Sequence, residues 1–351
     1  MPETYKACLI GCGRMGTTID DEIRDRPDSF RWLPYSHAAA CAAVERLALV
    51  AVADVVAEKV QAARQRYQVP RGYTDYREMI GKEQPDLLCI ATRPATHMET
   101  TLFAAEHGVR AIYCEKPLCC SMEEADAMVA ACERNGVRFN YGTQRRYTPL
   151  FQKMRERIDT GGIGRPEAVI ACCGVSAAMW GHTHTADMLM YLAGDAAIDF
   201  VQGAVSARDV DLEGDSLKAD PGIAMGYVRF RNGVHGYLTA GSGDEYEVRG
   251  SEGTLRTLNG GSGVEWRRAR PPWHLLEDEP FPEVARESGT VGGLRELVAV
   301  LDGGGETSGG IHRARASQEM IFGWVESHRR GGARVEFPLA NRALAIRPAG
   351  W

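Results

Sequence analysis

Tyr5-Lys6-Ala7-Cys8-Leu9-Ile10 runs without a spacer into Gly11-Cys12-Gly13-Arg14-Met15-Gly16. An apolar run broken only by Lys6 predicts a strand, and a G-x-G-x-x-G pattern directly behind it predicts a turn that opens a helix. Each glycine has a mechanical use there. Gly11 makes the tight turn, Gly13 lets a pyrophosphate approach bare backbone, and Gly16 lets the helix pack closely on the strand. The helix N-terminus supplies the positive end that a phosphate needs. Arg14 and Met15 belong to the same turn and are expected beside a dinucleotide. Glycine is abundant in this chain, 39 of 351 residues, so the argument rests on the position after the first strand rather than on the spacing.

Outward from that turn, apolar runs at 47–54, 87–92, 111–114 and 137–141 alternate with helical patterns at 34–46, 56–67, 75–82, 97–107 and 122–135. Strand–helix alternation of this kind predicts a parallel, doubly wound sheet with right-handed crossovers. Past Arg165 the pattern changes. Strand-like runs at 167–174, 200–206, 223–231, 234–240, 246–250, 254–258 and 264–268 are separated by Gly, Asn or Asp turns, with one helix among them near 185–192. Short turns pair consecutive strands antiparallel. Helices at 291–301 and 314–329 follow a loop rich in Pro and acidic residues at 271–282, and a short strand at 335–338 comes last. The expected fold class is α/β: an N-terminal Rossmann domain over 1–121, then an α+β domain over 122–351 with a large, mostly antiparallel open sheet.

Composition narrows the function classes. With 41 Lys and Arg against 47 Asp and Glu the net charge is 41 − 47 = −6, so a nucleic-acid partner is not expected. No apolar run approaches the roughly 20 residues a membrane-spanning helix needs. Residues 1–6 carry neither a basic region nor a long apolar one, so a cytoplasmic location is expected. The ten cysteines all lie between Cys8 and Cys173. Neither Cys119-Cys120 nor Cys172-Cys173 has the spacing of a zinc site, and no metal is expected.

Two further stretches carry chemistry. Asp54 ends the second strand, where a carboxylate accepts the hydroxyls of an adenosine ribose. Val55, Val56 and Ala57 follow it, with no cation to receive a 2′-phosphate, so NAD is favoured over NADP. Asp54 lies further along than usual because 20–35 is a polar insertion in the first crossover. It reads as a surface loop, with a lid over the cofactor as the alternative. Glu115-Lys116-Pro117 ends the fourth strand, at the edge where open α/β sheets bind ligands, and Lys116 is suited to donate to a substrate oxygen.

Taken together, Gly11-x-Gly13-x-x-Gly16, Asp54, Thr92 to His97 and above all Glu115-Lys116-Pro117 resemble the Gfo/Idh/MocA family, which includes glucose-fructose oxidoreductase and inositol dehydrogenase. Tyr141 to Tyr147 and Gly250-Ser251-Glu252-Gly253-Thr254 extend the likeness over most of the chain. The resemblance implies that Lys116 touches both the nicotinamide ribose and the substrate hydroxyl, beside a commonly cis Pro117. Glu115, Thr92, Arg93 and His97 would then line the cofactor, and His37 reads as packing or cofactor support. In His184-Thr185-Ala186-Asp187, His184 takes the general acid/base role with Asp187 beside it one helical turn along. Lys116, His184 and Asp187 are thus the expected catalytic group, converging on one nicotinamide.

Two positions depart from the family pattern. Trp180 stands where polyol dehydrogenases of the family often have an aspartate; it is expected to wall the substrate pocket, with His182 compensating or simply packing. Arg93 replaces an apolar residue or proline, and would bind a substrate carboxylate or phosphate, or pair with Glu115. Arg146 and Tyr147 are expected at the substrate, and Trp273-His274 to cover a site. The implied activity is NAD-dependent oxidation of a sugar, cyclitol or other polyol by a homodimer or homotetramer assembled through the open sheet. Two other readings stay open: glycoside cleavage through transient oxidation by bound NAD, and a non-catalytic nucleotide sensor.

Overall fold

The computed structural model describes residues 4–206, 214–272 and 275–349. Trp273 and His274 lie outside them. The described residues form two compact units, one from residue 4 to Thr148 together with Arg286–Arg315, the other from Pro149–Ala285 and residues 316–349.

In the first unit, β1 (Tyr5–Ile10), β2 (Leu47–Ala53), β3 (Arg71–Tyr73), β4 (Leu87–Ile90), β5 (Ala111–Cys114) and β6 (Arg138–Tyr141) form one sheet in the order β3-β2-β1-β4-β5-β6, parallel throughout. Buried on both faces, β4 and β5 read as unbroken apolar runs, as central parallel strands must. Strand order reverses between β1 and β4, and the crevice beyond their carboxyl ends is where such sheets take ligands.

This unit does not end near residue 121. β6 continues the sheet past that point, and the helix Gly289–Gly303 returns to it, burying Val291, Leu294, Leu297 and Val298 with Tyr5, Ala7 and Tyr113 in one apolar core. A contact between segments so far apart in the chain leaves no local trace in either. β3 also escaped the sequence pattern, because an edge strand of three residues is too short to show alternation.

The second unit holds β7 (Pro166–Cys172), β8 (Ser176–Ala177), β9 (Ile198–Ser206), β10 (Ser216–Leu217), β11 (Gly222–Phe230), β12 (His235–Thr239), β13 (Glu245–Gly250), β14 (Gly253–Leu258), β15 (Gly263–Arg270), β16 (Leu275–Glu279), β17 (Val335–Glu336) and β18 (Ala345–Ile346). Its large sheet runs β16-β15-β14-β13-β7-β12-β11-β9-β17, with β8 on β11; β7 and β12 pair in parallel and the other pairs are antiparallel. β16 corrects the loop expected at 271–282. Its Leu-Leu-Glu-Asp-Glu sequence has no apolar alternation, but Arg267 faces Asp278 and Arg268 faces Glu277 across the ladder, so opposite charges hold this edge. The helix Pro149–Asp159, absent from the sequence reading, buries Phe151, Met154 and Ile158 along one stripe.

Among the described residues no helix is long and apolar enough to cross a membrane, and no group of three or more His, Cys, Asp or Glu is placed to hold a metal ion. The ten cysteines are free thiols.

Candidate functional site

The three glycines behind β1 meet three different surroundings. Gly11 has φ +94°, and a Cβ on it would lie 2.6 Å from the Ala91 carbonyl oxygen. A Cβ on Gly16 would lie 1.9 Å from the carbonyl oxygen of Gly11, so only glycine lets this turn close on itself. Around Gly13 a Cβ would meet nothing within 4 Å. The bare backbone at 13 therefore faces open space, as an approaching pyrophosphate requires. The turn opens as a π-helical turn, Arg14–Thr18, before becoming α-helical over Ile19–Ile23, and the Thr17 hydroxyl donates to the Cys12 carbonyl at 2.8 Å. Arg14 is exposed and pairs with Glu22 at 2.7 Å, while Met15 is half-buried.

Asp54 is fixed from both sides. One carboxylate oxygen accepts the Cys12 N–H at 2.8 Å and the other the Val56 N–H at 2.9 Å. Each oxygen retains a further lone pair, the capacity two ribose hydroxyls would use. Asp54→Ala is expected to weaken NADH binding by about tenfold, the worth of one charge-assisted hydrogen bond, and to narrow the preference over NADPH. Fluorescence titration with each nucleotide checks both.

At the end of β5 the Lys116–Pro117 peptide is cis, as the resemblance implied. Lys116 is half-buried, but Glu115 is 5% exposed and its carboxylate is engaged inward, on His37 Nε2 at 3.0 Å and the Lys116 N–H at 3.1 Å. Burial by itself raises the Glu115 carboxyl; the hydrogen bond and charge of His37, with the Lys116 ammonium, outweigh it and hold the group below the usual carboxylate range. His97 is likewise a brace rather than a cofactor contact. Its ring is fully buried, with Nδ1 2.9 Å from the Pro117 carbonyl and Nε2 3.3 Å from the Thr92 carbonyl, and burial lowers its pKa. Thr92 is half-buried, accepting from the Thr96 hydroxyl at 2.8 Å, and Arg93 is exposed.

The insertion at 20–35 has its middle exposed, as a surface loop does, and its two ends tied together. The Asp20 carboxylate is buried and accepts the N–H groups of Tyr35 and Ser36, both at 2.9 Å, while Ser36 caps the helix His37–Ala43. Tyr35 was missed in the sequence. Burial first, and the Glu115 charge second, push its hydroxyl up to about 12 against the opposing pull of Arg145, Arg14 and Gln144. It packs on Trp32 at 5.6 Å between ring centroids, and Arg145 lies 6.0 Å from the Trp32 ring.

Arg146 and Tyr147 do not present their side chains to a substrate. Arg146 is fully buried and donates to the Ser308 carbonyl at 2.6 Å. Tyr147 donates to the Tyr141 carbonyl at 2.9 Å, and a Cβ on Gly309 would sit 1.8 Å from its hydroxyl. Both residues turn inward to hold the returning 286–315 segment. Tyr147→Phe is expected to lower unfolding stability by about 1 kcal/mol and to leave turnover per folded molecule unchanged, which a denaturant titration beside an activity assay checks.

In the second unit, Trp180 is 45% exposed, and the N–H groups of Met179 and Trp180 are both held by the Asp220 carboxylate at 2.9 Å. His184 is the second residue of the helix Thr183–Leu192 and is half-buried, with the buried Asp187 one turn further on. His182 corrects an expectation of substrate contact. It is 1% exposed, its Nε2 accepts the Ser176 N–H at 3.3 Å, and its Nδ1 lies 3.2 Å from the Thr185 hydroxyl. Burial lowers its pKa from 6.5 to about 4.

His182 is therefore neutral in the fold but protonated in the unfolded chain between those values. The unfolded state binds the extra proton, so stability is lost as pH falls from 6.5 towards about 4. The loss is expected to reach about 3 kcal/mol and to be largely absent in His182→Gln; chemical denaturation across that range checks it.

Known proteins resemble this chain in sequence and in fold. Residues 5–143 match a family model described as an oxidoreductase family with an NAD-binding Rossmann fold. The chain is 33% identical over 162 residues to D-apiose dehydrogenase of Paraburkholderia graminis, a match covering 46% of this chain and 38% of that protein. It is 25% identical over 269 residues to myo-inositol 2-dehydrogenase of Thermotoga maritima, covering 70% and 73% respectively. A solved structure of levoglucosan dehydrogenase in complex with NADH superimposes with a TM-score of 0.76 at 20% identity, over 96% of this chain and all of that one. At that identity the likeness is one of fold.

Proposed function

We propose, from the match of residues 5–143 to the NAD-binding Rossmann-fold model of the Gfo/Idh/MocA oxidoreductases, that this protein is an NAD-dependent dehydrogenase of a sugar, cyclitol or related polyol. The observation that carries the reading is the glycine turn: closed at Gly11 and Gly16, open at Gly13, and backed by the fixed carboxylate of Asp54. NAD supplies hydride-transfer chemistry when bound. The Gly11–Gly16 turn and Asp54 would hold its pyrophosphate and ribose. The Lys116 ammonium donates to the substrate hydroxyl oxygen and offsets the negative charge that grows there as the proton leaves. His184 takes that proton, and Asp187 orients the imidazole or holds a second hydroxyl. Trp180 offers an exposed aromatic face to a sugar ring.

A panel of polyols with NAD is expected to yield reduced nicotinamide with at least one member. Tight NADH binding without turnover of any member would overturn the substrate class. Trp180 in place of the frequent aspartate leaves a second reading open, NAD-dependent glycoside cleavage, which would release sugar with no net reduced nicotinamide. We further propose a cytoplasmic homodimer or homotetramer formed through the face of the large sheet; sedimentation at micromolar concentration giving a monomer would exclude it.

A further inference from the structure

Glu115 and Lys116 are held from behind by a histidine that has no path to solvent. His37 is fully buried, with its ring edge against Tyr113 at 5.1 Å between centroids. Its Nε2 lies 3.0 Å from one oxygen of the Glu115 carboxylate, and the other oxygen accepts the Lys116 N–H at 3.1 Å. A carboxylate only accepts, so Nε2 carries the proton. His37 Nδ1 has no hydrogen-bond partner among the described residues. A buried ring nitrogen left in that state is a cost that an aliphatic side chain of similar size would avoid. Packing alone therefore does not explain an imidazole here; the bond to Glu115 does.

We infer that His37 is a positioning residue for Lys116, acting through Glu115; the inference rests on the dehydrogenase reading for its catalytic consequence. The chain is built to deliver this ring. The Ser36 hydroxyl accepts the Ala39 N–H and starts the helix at His37, and buried Asp20, from the start of the insertion, accepts the N–H groups of Tyr35 and Ser36. On the far side His97 holds the Pro117 and Leu118 carbonyls at 2.9 and 3.3 Å. Glu115-Lys116-Pro117 is thus braced from two directions, and the backbone from which the Lys116 ammonium extends is fixed before substrate arrives. Gly142 lies close behind the carboxylate: a Cβ there would be 3.0 Å from the Glu115 Cα and 3.2 Å from its carboxyl carbon, a tight fit.

The test compares His37→Leu, which removes the donor at similar volume, with His37→Gln, which keeps one. The chain has six lysines, so Lys116 can be followed by NMR after reductive 13C-methylation and assigned with Lys116→Arg. In the Leu variant the Lys116 resonance is expected to shift and broaden, and kcat to fall by about 10- to 100-fold, the usual result of a slightly misplaced group. NADH affinity should stay near that of the parent, the melting temperature should fall because one oxygen of the buried Glu115 carboxylate loses its donor, and the Gln variant should restore the resonance, most of kcat and most of the melting temperature. An unchanged Lys116 resonance in His37→Leu, or a Gln variant as perturbed as Leu while equally folded, overturns the inference. If no polyol is turned over by any form, the dehydrogenase reading fails, and the Lys116 resonance alone still decides whether His37 positions it.

Discussion

Lys116→Ala lowers kcat/KM for polyol oxidation by about two to four orders of magnitude, the range that a proton-handling or charge-stabilising side chain commands. The dissociation constant for NADH is expected to move only a few-fold, because the Gly11–Gly16 turn and Asp54 are the groups proposed to hold the nucleotide's phosphates and adenosine ribose. The split matters more than the size. A loss shared equally between binding and turnover would make Lys116 a cofactor residue alone. Lys116→Arg is expected to recover little, since a planar guanidinium does not reproduce a point ammonium at the end of a flexible stem. The brace behind the residue sharpens this expectation: Glu115 and His97 fix the Lys116–Pro117 backbone by buried hydrogen bonds, so the alanine variant should fold as the parent does.

The second large effect separates two glycines that look equivalent in the motif. In Gly16→Val the new Cβ would be 1.9 Å from a backbone oxygen, which cannot swing aside as a side chain can. The turn must open, and a cost of roughly 3 kcal/mol or more is expected, with NADH binding lost. Gly13→Ala adds a methyl to open space, so its melting temperature should match the parent's. Its NADH affinity should nevertheless fall by about tenfold or more, because the methyl occupies the approach that the pyrophosphate needs. If Gly13→Ala destabilises the fold, or Gly16→Val binds NADH normally, the assignment of roles within the turn is wrong.

The features legible in the sequence are those whose cause is local. A strand followed at once by three spaced glycines, a carboxylate at the end of β2 and a charged pair at the end of β5 are set by neighbours in the chain, and the structure keeps each directly behind its strand. Arg146 and Tyr147 show the opposite case. Two arginines beside a tyrosine read as a polar cleft, yet Arg146 is buried on the Ser308 carbonyl and Tyr147 on the glycines of a segment about 150 residues away. His182 and His184 differ by two positions and are alike in sequence; the first stands at the helix start and is buried on Ser176 and Thr185, while the second, inside the first turn, is half-buried. β16 hid because charge pairing, not apolar alternation, holds it. Tyr35 had no signal beyond its place just ahead of Ser36, and only the fold brings it within range of Glu115 and Arg145.

The most direct measurement follows a single deuteron. The protein is incubated with NAD and a panel of carbon-deuterated sugars and cyclitols, and the recovered nicotinamide is weighed by mass spectrometry. Hydride transfer predicts reduced nicotinamide carrying one deuteron at C4 for at least one member of the panel, with labelling slowed by about two to four orders of magnitude in Lys116→Ala. Nicotinamide that stays unlabelled with every member, from protein that binds NADH, would contradict the account.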